Sequence, residues 1–222
     1  MAEFDRHWRP SLPEPDSNQL AFRAEELKAA LQSRDPALVA ARSGVSLLTT
    51  GPGRGELHIP LLRHVCILSW PELMAYDAQD NPLPGFHRAL LLYYLITADG
   101  TAQTGRWVSF AELPGGRMYN AAFQGYSGDQ IVKSFGLNLK LFRAACESAG
   151  GKETEVGNSS FIFQALPRLP LLVTYWLGDE DFPSSCKILF DESVDHYLPI
   201  DVCAILGSML TRKLIQPRET AS

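Results

Sequence analysis

Residues 160–190 read SFIFQALPRLPLLVTYWLGDEDFPSSCKILF and decide the fold class. They contain three runs rich in β-branched and aromatic residues: 160–165, 171–176 and 186–190. A corner with Pro167 and Pro170 separates the first two runs, and an acidic loop from Gly178 to Pro183 separates the last two. Because gaps this short suit antiparallel neighbours, the sequence predicts a three-stranded antiparallel meander.

The segment that follows the meander predicts a terminal helix from about Pro199 to Ile215. Its apolar residues recur at helical steps: Val202, Ile205, Leu206 and Met209. Proline is favoured at the start of a helix, and we expect this helix to cover one face of the meander. The predicted fold class is therefore α+β, with an antiparallel or mixed sheet and helices packed on one face.

Two further helices are predicted before the meander. Ser127 and Gln130 have the spacing of a capping box, and they precede apolar positions at near-helical steps, with a break expected at Gly136. The run from Phe86 to Thr97 is apolar nearly all round, and its length favours a buried helix over a strand. Trp107 to Phe110 is a strand candidate between the two helices.

The first part of the chain predicts an arm, two helices and a β-hairpin. Residues 1–19 contain three prolines among polar residues and suit an extended arm, which leaves 20–222 as a single α+β domain. Apolar spacing predicts a helix over Asn18 to Gln32, and Asp35 with Pro36 predicts a short helix that ends near Gly44. Three β-like segments follow: 45–50, 56–60 and 63–68.

Composition limits the class of protein. The chain has 222 residues, with 45% apolar and 20% charged, which is typical of a globular protein with a packed core. The formal net charge is −5, and residues 147–201 hold ten acidic and three basic side chains, which argues against a nucleic-acid partner. We find no signal-like segment and no apolar run longer than eight residues, so we expect a cytoplasmic protein without a membrane span.

The four cysteines predict free thiols and no structural metal. They lie at Cys66, Cys146, Cys186 and Cys203, with no C-x-x-C pair and no cysteine–histidine cluster at metal spacing. Cysteines on predicted apolar faces favour burial over reactivity.

Two turns hold the candidate site residues. Gly115, Gly116 and Arg117 follow the strand candidate at 107–110, and outward-facing amides beside a guanidinium can bind an anion. A plain β-turn with a solvated arginine explains the same residues and is favoured. The second turn holds Asp195 and His196, close after Asp191, where a carboxylate and an imidazole can bind a metal or transfer a proton. Turn stabilisation by Asp191 is the favoured alternative there.

We expect the two turns to lie on the same side of the fold. Each follows a predicted strand, and a parallel arrangement of these strands would place both turns at one edge of a mixed sheet. The resulting ligand-binding set is Gly115, Gly116, Arg117, Tyr119, Asp195, His196 and Tyr197. Amide donors, a guanidinium, an imidazole and phenols suit an anionic or aromatic ligand.

The stretch from Leu169 to Pro199, which includes GDEDFP at 178–183, ILFD at 188–191 and HYLP at 196–199, resembles an uncharacterised bacterial and archaeal domain-of-unknown-function family. The Val108 to Tyr119 stretch is similar to an earlier block of the same family. The resemblance implies relatives in anaerobes, some with an extra N-terminal four-cysteine iron–sulfur segment that has no counterpart here. It implies a weak link to corrinoid or redox metabolism and no catalytic residues.

Three functions remain open at this point. The first is a non-catalytic binding or accessory module for a small ligand, either an anion or a tetrapyrrole of the corrinoid type, or for a partner protein. The second is an enzyme in which His196 acts as acid or base with Asp195 or Asp191, and Arg117 stabilises a developing anion. The third is haem ligation through His196 or Tyr197. The sequence identifies neither a cofactor nor an oligomeric state.

Overall fold

A computed structural model describes residues 17–216, with side chains from residue 25 onward. In chain order the regular elements are α1 (Ser17–Gln32), α2 (Pro36–Ser43), β1 (Ser46–Gly51), β2 (Arg54–Leu61), β3 (His64–Trp70), β4 (Ala75–Tyr76), α3 (Gly85–Thr97), β5 (Trp107–Ser109), α4 (Gly116–Tyr126), α5 (Gly128–Phe135), α6 (Leu139–Ser148), β6 (Lys152–Thr154), β7 (Ser159–Leu166), β8 (Leu169–Trp176), β9 (Ser185–Asp191) and α7 (Ile200–Ile215). Two 3-10 helices occur, at Phe110–Glu112 and Glu192–His196. In the part of the chain described, no helix is long and apolar enough to span a membrane.

The strands form two antiparallel sheets, which confirms the α+β class. The first sheet has the order β1-β2-β3-β4 and contains the predicted hairpin. The second has the order β5-β9-β8-β7-β6, and its three central strands are the predicted meander. The edge strand β6 lies in a polar segment for which the sequence predicts no strand. Both sheets are antiparallel throughout, so residues 17–216 form no mixed sheet.

Helices α4 to α7 pack on one face of the second sheet. Phe142 of α6 contacts the rings of Phe161 and Tyr175, and Phe123 of α4 contacts Phe190. The terminal helix is confirmed, and it packs against α4, α5 and α6, with Val202 and Leu206 among its buried residues. A Cβ atom at Gly207 would lie 2.7 Å from the Phe123 ring, so this glycine allows α7 to approach α4 closely.

The helix break at Gly136 is confirmed, but the predicted capping box is wrong. Ser127 lies at the junction of α4 and α5, and its hydroxyl donates to the Phe123 carbonyl instead of capping α5. The Gln130 amide donates to the Gly125 carbonyl at 2.7 Å. Because another helix ends directly before Ser127, both side chains donate to carbonyl groups at the end of α4, and neither caps the start of α5.

The caps of α2 are confirmed. The Asp35 carboxylate accepts from the Ala37 amide at 2.9 Å, and Gly44 ends the helix with a φ of +71°. Residues 1–16 of the predicted arm lie outside the described residues, and α1 begins at Ser17, within the range assigned to that arm.

Helix α3 and the β2–β3 turn connect the two sheets. The fully buried Tyr94 of α3 donates its hydroxyl to the Ser43 carbonyl and accepts from the Arg168 amide between β7 and β8. The Leu62 amide in the β2–β3 turn donates to the Ala165 carbonyl of β7 at 2.9 Å. The buried apolar side chains of both sheets form one hydrophobic cluster.

Candidate functional site

The predicted β-turn lies at residues 113–116, where the Gly116 amide donates to the Leu113 carbonyl at 2.8 Å, and α4 begins at the last residue of this turn. Gly115 precedes the helix with a φ of +77°, and Gly116 is its first residue. A Cβ atom at Gly116 would lie only 1.8 Å from the Phe110 carbonyl oxygen. The glycine pair is therefore required by the close approach of α4 to the preceding 3-10 helix. Arg117 and Tyr119 are exposed on the first turn of α4.

The strand argument for a shared site is wrong, because β5 and β9 are antiparallel and Trp107 is paired with Asp191. The glycines of the first turn nevertheless lie beside the start of α7, the helix that follows the second turn. Cβ atoms placed on Gly115 and Gly116 would lie 3.7 Å and 3.3 Å from the Ile200 side chain. The 3-10 helix at 110–112 reverses the chain after β5, so that the starts of α4 and α7 lie side by side. Ile200 is the fourth residue after His196.

Asp191 is a buried structural residue. Only 1% of its surface is exposed, and its carboxylate accepts from the amides of Thr104, Gly105 and Ser193 and from two hydroxyl groups. Burial raises the pKa of this carboxyl, but the hydrogen bonds from Ser193, Thr104 and Gly105 together outweigh it and lower the pKa. Asp191 therefore caps the 3-10 helix at 192–196 and anchors the loop before β5.

The hydrogen-bond partner of His196 is Asp99, a residue that the sequence did not single out. The Nδ1 atom of His196 lies 2.7 Å from Asp99 Oδ2, whereas its Nε2 atom is 3.9 Å from Asp195 Oδ1. Thr101 hydrogen bonds to both residues, and its amide donates to Asp99 Oδ1 at 2.8 Å. Both side chains of the pair are about half exposed, at 45% for His196 and 49% for Asp99. No local motif signals this pair, because its members are 97 positions apart.

The pair shifts the pKa values of both partners. The hydrogen bond from Asp99 raises the pKa of His196 above its ordinary value, because it favours the charged imidazolium. The hydrogen bonds from Thr101, followed by that from His196, lower the pKa of Asp99 to about 2. At neutral pH Asp99 is a carboxylate that orients the imidazole and stabilises its protonated form.

Tyr197 is fully buried, and its hydroxyl donates to the Thr101 carbonyl. Its ring lies 5.9 Å from that of Tyr94, within the core. Tyr197 thus presents no phenol to a surface ligand. Together with Asp191 and His196, Tyr197 holds the loop at 99–105 against the 3-10 helix at 192–196. The His196 imidazole therefore lies on a segment that several hydrogen bonds fix in place.

The other predicted groups show no reactive geometry. All four cysteines are free and buried, and burial followed by the charge of Asp77 raises the pKa of Cys66 to about 11. The Asp179 carboxylate accepts from the amides of Asp181 and Phe182 within its own loop. Among the described residues, no three histidine, cysteine, aspartate or glutamate side chains are grouped to hold a metal ion.

The family described as Domain of unknown function (DUF3786) matches residues 35–213. The chain belongs to this family. The match to DUF3786 includes both segments that carried the sequence resemblance and every candidate site residue. No curated protein and no solved structure matches the chain. The expected links of DUF3786 to anaerobes and iron–sulfur segments stay predictions.

Proposed function

We propose that this protein is a binding module for a small anionic ligand, with its site at the adjoining starts of α4 and α7. The observation that carries the proposal is the contact of Gly115 and Gly116 with Ile200, which brings two helix N-termini together. A helix N-terminus carries a partial positive charge, so two of them side by side favour an anion more than either alone. The Gly116 amide is already bonded to the Leu113 carbonyl, so the later amides of the first turn of α4 are the proposed donors.

The charges around the two helix starts favour the start of α4 as the place where the anionic group binds. No acidic residue lies in the first turn of α4, and Arg117 is exposed there. Asp201, in contrast, lies in the first turn of α7 and already complements the dipole of that helix. The anionic group of the ligand is therefore expected to contact the α4 amides and Arg117, with protonated His196 as a further positive charge.

Exposed apolar side chains extend the same turn of α4. Met118 is 87% exposed and Tyr119 is 60% exposed, so both side chains are accessible to a ligand. Met118 and Tyr119 can pack against the apolar part of a ligand that has its negatively charged group at one end. Carboxylated tetrapyrroles of the corrinoid type belong to this class, as does an acidic segment of a partner protein.

The test is a fluorescence titration with coproporphyrin, a tetrapyrrole that carries carboxylates, together with calorimetry using inorganic phosphate. We expect Arg117→Gln to weaken binding by about tenfold or more, the usual worth of a charged hydrogen bond. The matched control is Lys140→Gln, which removes an exposed charge from α6. Absence of binding to both probes, or equal affinity in the Arg117 and Lys140 variants, would contradict the proposal.

A second candidate function, an enzyme with His196 as acid or base, is supported by the 2.7 Å contact with Asp99. Asp99 holds Nδ1 of the ring, and Nε2 makes no hydrogen bond to any described residue, so Nε2 is the atom that would exchange a proton with a substrate. The roles of Asp195 and Asp191 in the earlier hypothesis pass to Asp99, and Arg117 remains the proposed anion stabiliser.

The enzyme hypothesis is tested with an activated ester, p-nitrophenyl acetate. We expect His196→Gln to lower the rate of hydrolysis, whereas His58→Gln should not. His58 is the matched control because it also contacts a carboxylate, that of Glu56 at 3.1 Å, but lies in the first sheet. An unchanged rate in the His196 variant would remove the acid–base role.

A further inference from the structure

The turn between β2 and β3 has an unfavourable backbone conformation. Leu62 and Arg63 are its two central residues, since Leu61 is paired with His64. Their φ angles are +47° and +71°. Such turns normally contain Asn-Gly or similar residues, because a side chain destabilises positive φ. Neither residue here is of that kind, so other contacts must determine the choice of side chain.

Leu62 is accounted for by packing, but Arg63 is not. Leu62 is buried and its amide is bonded to β7, so it joins the two sheets. The Arg63 side chain lies over Gly150, where a Cβ atom would be 2.2 Å from Arg63 Cδ and 2.7 Å from Nη1. Gly150 itself has a φ of +88°. A glycine thus leaves room for the guanidinium, which remains exposed on the surface.

Lys213 and His64 complete a basic cluster beside Arg63. The Lys213 Nζ atom lies 3.0 Å from His64 Nε2, an ammonium donating to an imidazole. Burial followed by the charge of Arg63 lowers the pKa of Lys213, and burial followed by the charge of Lys213 lowers the pKa of His64. The Lys213 ammonium is therefore repelled by Arg63, and it disfavours protonation of His64.

Within the described part of the chain, no acidic side chain balances the cluster. Among the residues whose side chains are described, no carboxylate oxygen lies within 4.0 Å of a side-chain nitrogen of Arg63, His64 or Lys213. Lys213 is in the last turn of α7, where a cation complements the helix dipole. That role explains one of the three basic residues and leaves the adjoining Arg63 and His64 unexplained.

We propose that Arg63, His64 and Lys213 form a binding site for an oxyanion group, phosphate or sulfate. The guanidinium and the ammonium supply charged donors, and the imidazole gives up its acceptor role when an anion replaces it as the partner of Lys213. The site is separate from the one at the starts of α4 and α7. It lies at the opposite end of the 16-residue α7, about 20 Å away at 1.5 Å per residue.

The test compares thermal unfolding of the full 222-residue chain in phosphate, sulfate and chloride at one ionic strength. We expect phosphate and sulfate to raise the melting temperature above that in chloride. Arg63→Asn and Lys213→Gln should each weaken this effect, with a fall in affinity of about tenfold or more. Lys140→Gln is the control and should respond as the unmodified chain does.

Arg63→Asn separates binding from folding, because asparagine tolerates positive φ better than arginine. We expect this variant to fold with at least the stability of the unmodified chain in chloride and yet to lose the response to phosphate. Glycerol 3-phosphate distinguishes the sources: tighter binding than inorganic phosphate supports a phosphate ester, and weaker binding supports the free ion. Equal responses of the Arg63 and Lys213 variants and the unmodified chain, or no response above chloride, would overturn the proposal.

Discussion

Replacing Gly116 with alanine adds one methyl group where the backbone leaves no space. The new Cβ atom would lie 1.8 Å from the Phe110 carbonyl oxygen and 2.9 Å from its carbon. Ordinary contacts between carbon and oxygen begin at about 3.3 Å, so the start of α4 must move by about 1.5 Å. Because the obstacle is backbone and not a rotatable side chain, the cost is expected at the upper end for overpacking, about 3 kcal/mol.

The matched control is Gly125→Ala in the same helix. No heavy atom lies within 4 Å of a Cβ atom at Gly125. Alanine should therefore stabilise the helix by up to about 1 kcal/mol, its advantage over glycine in helix propensity. For a chain of this size the melting temperature changes by about 2–4 °C per kcal/mol, so the two variants should differ by about 8 °C or more.

Urea denaturation followed by circular dichroism measures both variants on one scale. Gly128→Ala provides a second test, since its Cβ atom would lie 2.0 Å from the Cys186 carbonyl oxygen. The reasoning is refuted when Gly116→Ala and Gly125→Ala differ by less than about 0.5 kcal/mol, the ordinary scatter of surface substitutions.

Four further predictions follow from individual contacts. Phe123→Ala removes a fully buried ring stacked 4.2 Å from Phe110 and should cost about 3–5 kcal/mol in urea denaturation; a loss under 1 kcal/mol would contradict the packing. Because folding lowers the pKa of Asp191, its carboxylate stabilises the fold at pH values above the unfolded-state pKa of about 3.9, and this stabilisation is lost as the pH falls through the folded-state pKa. Asp191→Asn should therefore be less stable at neutral pH, and its free energy of unfolding should fall less on acidification. Asp99→Asn should lower the pKa of His196 towards its ordinary value in an NMR titration, and an unchanged pKa would show that the contact is absent in solution. All four thiols should react with a thiol reagent only after unfolding, because all four are buried; fast reaction of the native protein would disprove their burial.

Local signals explain most of the secondary structure that the sequence predicted. The meander, the caps at Asp35 and Gly44 and the terminal helix each depend on residues close in the chain. Helix α4 was missed because the two glycines at its start were interpreted only as a turn. Strand β6 was missed because it is a short edge strand of polar residues, which its pairing with β7 defines.

For the candidate sites, the sequence indicated some of the residues but not the distant residues that they contact. Residue types alone pointed to Gly115, Gly116, Arg117 and His196, but the partner of His196 came from a loop 97 positions away. The predicted adjacency of the two turns depended on parallel strands, but β5 and β9 are antiparallel; the contact that the structure gives is that of Gly115 and Gly116 with Ile200. The basic cluster of Arg63, His64 and Lys213 was not anticipated at all, since it joins a hairpin to the end of α7.

The sequence by itself determined the α+β class, the order of most helices and strands, the packed core and the free thiols. These features depend on periodicity, capping and composition, which act over a few residues or over the whole chain. Only the tertiary structure decided that there are two sheets, that Asp191 is a buried anchor and that Asp99 pairs with His196. Such contacts depend on how distant segments are brought together by packing, and the hydrophobic effect that drives packing is non-directional and carries no information on which polar side chains will meet.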